Sequence, residues 1–492
     1  MANSTDLQVR RTKIIATLGP ATDKPGMLQR VLEEGVDVVR LNLSHGSSEQ
    51  HEQRANDARA MAAELGREVA VLADLQGPKI RIEKFANGPV LLQQGQSFLL
   101  DCRNAAPPGD DTRVGVSYLN LCRDVKPGDT LLLDDGLIAL RVDDIDDSNI
   151  HTSVAVGGML SDRKGINRMG GGLSVGALTD KDRADIRLAA KIAADFLAVS
   201  FARSAADMNE TRSLLRAAGG NAALVAKIER AEAIEALTEI IDASDAVMVA
   251  RGDLGVEIGD AELPGLQKKI IRETLARGKV VITATQMMQS MVEAPIPTRA
   301  EVLDVANAVI DGTDAVMLSQ ESAAGKHPDK AVAAMRRVCL GAERQFEPVE
   351  DLTVKNHRMD RTDQAIARAA MFLAGQVGVR AIVALTESGN TAQWLSRYRS
   401  AVPIYALSRR ESARRRMMLY RDVTPIEFDP HGVNPAHAAK AAIQHLYNLG
   451  KLGENDRVIL TIGDHTGQHG GTNTLKLLQV GAGGLAEGLG EL

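Results

Sequence analysis

The sequence predicts an α/β protein: a (β/α)8 barrel with an inserted small all-β lid domain and a C-terminal α/β domain. Three observations carry this expectation. Eight short β-branched runs, each with a helical pattern behind it, fill residues 11–75 and 174–346. Between the third and fourth runs the alternation stops for about a hundred residues, 76–173, which hold short alternating runs and turn signals. After residue 347 a second βα alternation begins and continues to about 480. An open doubly wound sheet has the same alternation and is the competing architecture for the first unit.

Taken in order, the barrel runs are 13–18, 36–43, 69–74, 196–200, 223–228, 246–250, 279–284 and 315–318. Helices are expected at 27–34, 48–65, 180–193, 205–218, 231–241, 266–277, 300–310 and 330–344. In the inserted segment, Asp135-Gly136 lies between the runs 130–134 and 137–141 and predicts a tight hairpin. The insertion leaves after the third strand, at the strand ends where such barrels carry their sites, so it predicts a lid. The third unit offers a helix at 362–377, strands at 381–385, 402–407 and 457–462, and a helix at 436–449. Residues 1–10 form an N-terminal tail, and 481–492, Gly-rich and without aromatics, are expected to be frayed.

Composition narrows the function. The 492 residues are 44% hydrophobic and 25% charged, ordinary for a soluble globular protein. The net charge of −6 and an aromatic content of 3% argue against a nucleic-acid partner. Cys102, Cys122 and Cys339 are too few and too scattered for a disulfide framework or a metal knuckle. No apolar run approaches the ~20 residues that span a bilayer, and the start lacks the apolar core of a signal peptide. A cytoplasmic protein with no membrane partner is expected.

Polar residues collect where the barrel strands should end. They include Arg40, Asn42, Ser44 and His45 after strand two, and Asp74, Lys79 and Arg81 after strand three. Lys227 and Glu229 follow at strand five, Arg251, Gly252 and Asp253 at strand six, Thr285 at strand seven and Ser319 at strand eight. Lys227 and Glu229 lie two apart on an extended strand and so share a side. They suit a structural ion pair as well as catalysis. Two carboxylates without His or Cys suit a hard cation such as Mg²⁺, and also suit solvated loop acids. Arg40 fits phosphate recognition or an Asp partner. Asn42, Ser44 and Asp74 fit a monovalent cation or helix caps. Thr285 and Ser319 fit carboxylate binding, a proton relay or plain turns. The Met287-Met288 and Met417-Met418 pairs are expected in the core. Taken together, Lys, two acids, Arg and hydroxyls on one face suit a transferring phosphoryl group or an enolate with a divalent metal.

Six segments, Thr12-Lys-Ile-Ile-Ala-Thr-Leu-Gly-Pro20, Arg40-Leu-Asn-Leu-Ser-His-Gly46, Lys227-Ile-Glu229, Met248-Val-Ala-Arg-Gly-Asp-Leu-Gly-Val-Glu257, Ala284-Thr-Gln-Met287 and Asp311-Gly-Thr-Asp-Ala-Val-Met-Leu-Ser319, resemble pyruvate kinase over about residues 10–480. The details resemble the bacterial form activated by AMP or sugar monophosphates. The resemblance implies phosphoryl transfer from phosphoenolpyruvate to ADP, giving pyruvate and ATP, usually in a homotetramer. It implies that Glu229 and Asp253 hold Mg²⁺ or Mn²⁺, that Lys227 and Arg40 serve the phosphoryl group, and that the Arg251–Asp253 turn with Thr285 binds the substrate carboxylate. Thr285 and Ser319 would flank the final protonation. Asn42, Leu43, Ser44, His45, Arg81 and Lys164 would face the nucleotide. Asn42, Ser44, Asp74 and Leu75 match a K⁺ site. The sequence departs from the family at Gly77-Pro-Lys-Ile-Arg81, where many relatives have Glu in place of Lys79, a change associated in the family with potassium independence. Thr386, Ser388, Gly389, Asn390 and Thr391 match a loop that binds an effector phosphate, with residues 463–474 as its partner. Asn390 departs from the basic residue common there. A metal-dependent lyase or aldolase, or a catalytically retired scaffold, would share parts of this pattern.

Overall fold

The structure, a computed structural model, describes residues 10–104, 106–345, 359, 361–398, 402–430, 435–464 and 471–488. Eight parallel strands close into a barrel, each beside its sequence neighbours: Lys13–Leu18, Val38–Asn42, Ala70–Asp74, Phe196–Val199, Ala223–Ile228, Ala246–Ala250, Val280–Ala284 and Ala315–Leu318. The first strand pairs with the eighth, Lys13 opposite Ala315, so no edge is left and the open-sheet alternative is excluded.

Alternation along these strands divides the core in two. Ile15, Val38, Leu72, Val225, Met248, Ile282 and Met317 fill the barrel interior. Their neighbours Ile14, Val39, Val71, Leu224, Val247, Val281 and Val316 pack against the surrounding helices. This parity positions the site. Two residues beyond the inward Ile15, Val38, Leu72, Ala198 and Val225, the same side of the strand carries Thr17, Arg40, Asp74, Ser200 and Lys227.

The insertion is the expected small β unit. Six strands run in the order Ile166–Arg168, Thr130–Leu133, Ile138–Ile145, Asn149–Val156, Ser97–Asp101 and Arg113–Gly115. The hairpin at Asp135-Gly136 forms, with Asp134, Asp135 and Gly136 at positive φ. The incoming chain bridges both edges of this sheet, Arg81 beside Gly165 and Ile82 beside Val116, and so gives it a barrel-like form.

The C-terminal sheet has four parallel strands, Val423–Glu427, Ile404–Ser408, Ala381–Leu385 and Arg457–Gly463. Two antiparallel strands, Thr472–Val480 and Ala486–Gly488, extend it. This corrects the expected frayed tail over residues 481–488. Edge hydrogen bonds are blind to side chains, and Gly483 and Gly484, both at positive φ, make the turn that returns the chain. Residues 489–492 and the N-terminal tail before residue 10 lie outside the described residues. The helix expected over 231–241 is two shorter ones, Ala231–Glu235 and Leu237–Ala243. Met287, Met288, Met417 and Met418 are buried, as expected.

This unit docks on the N-terminal end of the barrel. Arg397 and Arg415 pair with Asp314 and Asp195, which precede strands eight and four. The Lys13 ammonium donates to the Val423 carbonyl at 2.6 Å. Trp394 lies flat on Gly278, where a Cβ would come within 2.3 Å of the indole. Among the described residues no helix is long and apolar enough to cross a membrane.

Candidate active site

Lys227 is the hub of the barrel's C-terminal face. Its ammonium lies 2.6 Å from Ser200 Oγ, 2.9 Å from Glu229 Oε1 and 3.3 Å from Asp74 Oδ1. Burial disfavours its charge, but Asp74 and Glu229 outweigh burial and hold its pKa above the ordinary lysine value. Asp74 also accepts from Arg40 Nε at 2.7 Å. Burial raises its pKa, but Lys227 and Arg40 outweigh burial and pull it below the usual carboxylate range. Arg40 spends a second nitrogen on Thr17 Oγ1 at 2.9 Å, which fixes the fork in the barrel mouth. Both readings of Arg40 therefore stay compatible: it has its Asp partner, and its guanidinium still sits on the site's floor.

Glu229 is almost fully buried and accepts the Phe201 amide at 2.8 Å. Burial raises its pKa, and repulsion from Asp253 and Asp74 adds to this against the pull of Lys227. Two carboxylates that repel one another suit a divalent cation, which would relieve that repulsion. Asp253 lies in the first turn of the helix Arg251–Ile258, whose amides are free of intrahelical partners. The Gly252 amide donates to Thr285 Oγ1 at 2.9 Å. Arg251 itself turns away. Its guanidinium binds the Thr285 carbonyl at 2.7 Å and Asp304 at 2.6 Å, so only its backbone faces the mouth.

Thr285 and Gln286 both have positive φ, +64° and +53°, a strained turn for residues with a Cβ. Glu321 holds this corner. It accepts the Met288 amide at 3.1 Å and the Ser319 amide at 2.7 Å. Sequence reasoning gave Glu321 and Ser200 no role. Ser200 could have been found by parity, as the inward residue two beyond Ala198, whereas nothing in the sequence signals Glu321's two amides.

Lys79 binds Asp253 at 3.0 Å and lies 3.8 Å from Asp135 at the lid's hairpin tip. Despite burial, Asp253 and Asp135 raise its pKa. Its hydrogen bond and ion pairs go to Asp253 and Asp135, and not to Asn42, Ser44 or Asp74. The Asn42 side chain instead accepts the Ser44 amide, and the Leu75 carbonyl accepts from Ser200. Lys164 pairs with Asp134 of that hairpin at 2.8 Å, and Arg81 donates to the carbonyl of Arg163, the residue before Lys164. A Cβ placed on Gly136 of that tip would meet Val256 Cγ2 at 4.0 Å, so the tip faces the helix of Asp253 with room for little more than a methyl group. Leu43 is buried at the same rim and His45 is exposed.

The comparisons identify this arrangement. Residues 9–332 match the family described as "Pyruvate kinase, barrel domain" and residues 364–478 match "Pyruvate kinase, alpha/beta domain". The chain belongs to the pyruvate kinase family. It is 52% identical to "Pyruvate kinase II" of Salmonella typhimurium over 96% of this chain and 99% of that one. It is 51% identical to "Pyruvate kinase" of Haemophilus influenzae over 93% and 96%, and 40% identical to "Pyruvate kinase" of Geobacillus stearothermophilus over 95% and 80%. As a pyruvate kinase it is a phosphotransferase of glycolysis, with phosphoenolpyruvate and ADP as substrates and pyruvate and ATP as products.

In the C-terminal unit, the residues of the expected effector loop come together. Gly389, at positive φ, donates its amide to Thr386 Oγ1 at 3.0 Å, and Thr391 Oγ1 meets Thr472 Oγ1 at 2.7 Å. Ser388 and Asn390 complete the loop. Glu387 within it pairs with Arg409 at 3.1 Å and Arg410 at 2.6 Å. Of the expected partner loop, residues 465–470 lie outside the described residues.

Proposed function

We propose the following division of labour for phosphoryl transfer, and the observation that carries it is the Lys227 ammonium held among Asp74, Glu229 and Ser200. Phosphoenolpyruvate lies over the barrel mouth. The amides of the Arg251–Asp253 turn and Thr285 take its carboxylate, and Arg40 and Lys227 take its phosphoryl oxygens. An ADP β-phosphate oxygen forms the new bond to phosphorus as the bond to the enol oxygen breaks. Lys227 then faces the charge that develops between the two, and its fixed position needs no reorganisation. The enolate gains a proton at its terminal carbon on the side flanked by Thr285 and Ser319. Glu229 and Asp253 would hold Mg²⁺ or Mn²⁺, which supplies positive charge to the transferring phosphoryl oxygens. The rim Asn42–His45 with Arg81 and Lys164 faces the nucleotide, and lid closure excludes water. Asn42, Ser44, Asp74 and Leu75 form a K⁺-type site whose occupation is dispensable because Lys79 is present. The setting is cytoplasmic. The test is pyruvate formation from phosphoenolpyruvate, ADP and Mg²⁺ by the purified protein, and absence of pyruvate would overturn the assignment of roles.

Two further features complete the reading. Thr386–Thr391 bind the phosphate of an effector, AMP or a sugar monophosphate. The support is that Arg409 and Arg410 converge on this loop through Glu387. Arg410→Glu is expected to abolish activation by ribose 5-phosphate, measured as the rate ratio with and without effector at low phosphoenolpyruvate. Unchanged activation would remove the loop from consideration. The enzyme is also a homotetramer. Its support is that Ile296, Leu303 and Ile310, exposed at 69%, 65% and 46%, lie on or just before the one helix Arg299–Asp311. Light scattering of the purified protein measures the mass directly.

A further inference from the structure

The chain leaves the lid through Gly170, Gly171 and Gly172, all at positive φ. Three successive left-handed residues make a joint that only glycine adopts without strain. Both ends of this joint are tied to the barrel top. The Gly170 amide donates to the Glu257 carbonyl at 2.9 Å, and the Gly172 amide donates to the Glu232 carboxylate. The Glu257 side chain is 2% exposed and reaches two other elements. Its Oε2 accepts the Ala231 amide at 2.9 Å, two residues past Glu229. Its Oε1 lies 3.4 Å from Asn167 Nδ2 on the lid's last strand, Ile166–Arg168. Glu257 itself is one turn beyond Asp253 on the same helix.

We propose that Glu257 is a positioning residue for the reaction, a joint whose ionised carboxylate ties the lid's return strand to the helix of Asp253 and the turn after Glu229. The proposal rests on the role given to Asp253 above. A carboxylate that accepts two N–H donors makes charge-assisted bonds to both elements, and protonation weakens both. The surrounding charges decide where that change falls. Burial raises the Glu257 pKa to about 7, with Glu232 adding repulsion, while the Ala231 amide, Arg230 and Asn167 oppose the rise. From the lid side, Arg168 is already paired with Asp129. The joint is therefore tight above about pH 7 and loose below it.

The test compares wild type with Glu257→Gln from pH 6 to 8.5. The KM for ADP is read as the ratio of variant to wild type, so that ionisation of ADP cancels. That ratio is expected to rise about 2–10-fold with pH, the worth of one or two hydrogen bonds. Hydrogen exchange of the 170–172 segment, which needs no turnover, is expected to be faster in the variant at pH 8 and equal at pH 6. Glu257→Asp, which keeps the charge, restores part of the pH dependence. If Glu257→Gln fails to fold, Asn167→Ala cuts only the lid arm and is expected to give the same two results. A ratio flat with pH, together with unchanged exchange at pH 8, overturns the proposal. Altered exchange in a protein without pyruvate kinase activity would keep the joint and discard the catalytic reading.

Discussion

Lys227→Met is expected to lower kcat by about 10²–10³-fold while KM for phosphoenolpyruvate changes far less. The ammonium stands 2.9 Å from Glu229 and 3.3 Å from Asp74, in a mouth that also holds Asp253. In the proposed complex, Arg40 and a cation held by Glu229 and Asp253 would match the substrate phosphate in the ground state. As the phosphoryl group moves between oxygens, charge develops where Lys227 is already fixed by Ser200. Losing it should therefore appear mainly in the chemical step. The same change costs stability, since breaking one side of a buried ion pair costs about 3–5 kcal/mol. The pH dependence separates the two effects. Asp74 has a lowered pKa, so its contribution is present above about pH 4 and lost as pH falls through the folded value. The variant has less of it to lose, so the two denaturation curves should converge at acid pH. Lys227→Arg keeps the charge, but its planar fork does not reproduce an ammonium among three oxygens. It should recover stability before it recovers rate. A Lys227→Met enzyme with wild-type kcat would end the proposed role.

The residues that make this cluster differ in how far the sequence announces them. Lys227, Arg40 and Asp74 stand two positions beyond inward apolar residues, and a period of two is legible in one dimension. The strands themselves were legible for a different reason, as continuous β-branched runs buried on both faces. What the sequence does not record is which group arrives from far along the chain. Lys79 meets Asp253 across 174 residues, and Glu321 caps the amides of Met288 and Ser319. Neither contact has a periodicity. Arg251 shows the converse failure, a basic residue in the right turn whose side chain finds its partner in Asp304 behind the strand. The antiparallel strands at 472–480 and 486–488 were missed because backbone pairing there is carried by a glycine turn that composition alone associates with fraying.

Lys79→Glu is expected to make the enzyme depend on K⁺, at least about tenfold, where the wild type changes less than a few-fold. The charge reaches the site through a particular neighbour. Lys79 sits 3.0 Å from Asp253 and within the field of Glu229, not among Asn42, Ser44 and Asp74. In the role proposed for it, Lys79 would substitute for a monovalent cation by neutralising the carboxylates beside the phosphoryl group rather than by filling the K⁺-type ligands. A unit charge at ~4 Å is worth about 4 kcal/mol at an effective dielectric near 20. The Lys79 side chain is 25% exposed, so solvent screening reduces this to roughly 1–2 kcal/mol, about one factor of ten in rate. Glutamate in its place adds a third carboxylate beside two that already repel each other. A cation recruited to Asn42, Ser44 and Asp74 would then be needed to restore the balance. The assay is pyruvate formation in potassium-free buffer with K⁺ titrated back. Strict K⁺ dependence in the wild type, or none in Lys79→Glu, would show that the charge of Lys79 is spent on holding Asp135 and the lid instead.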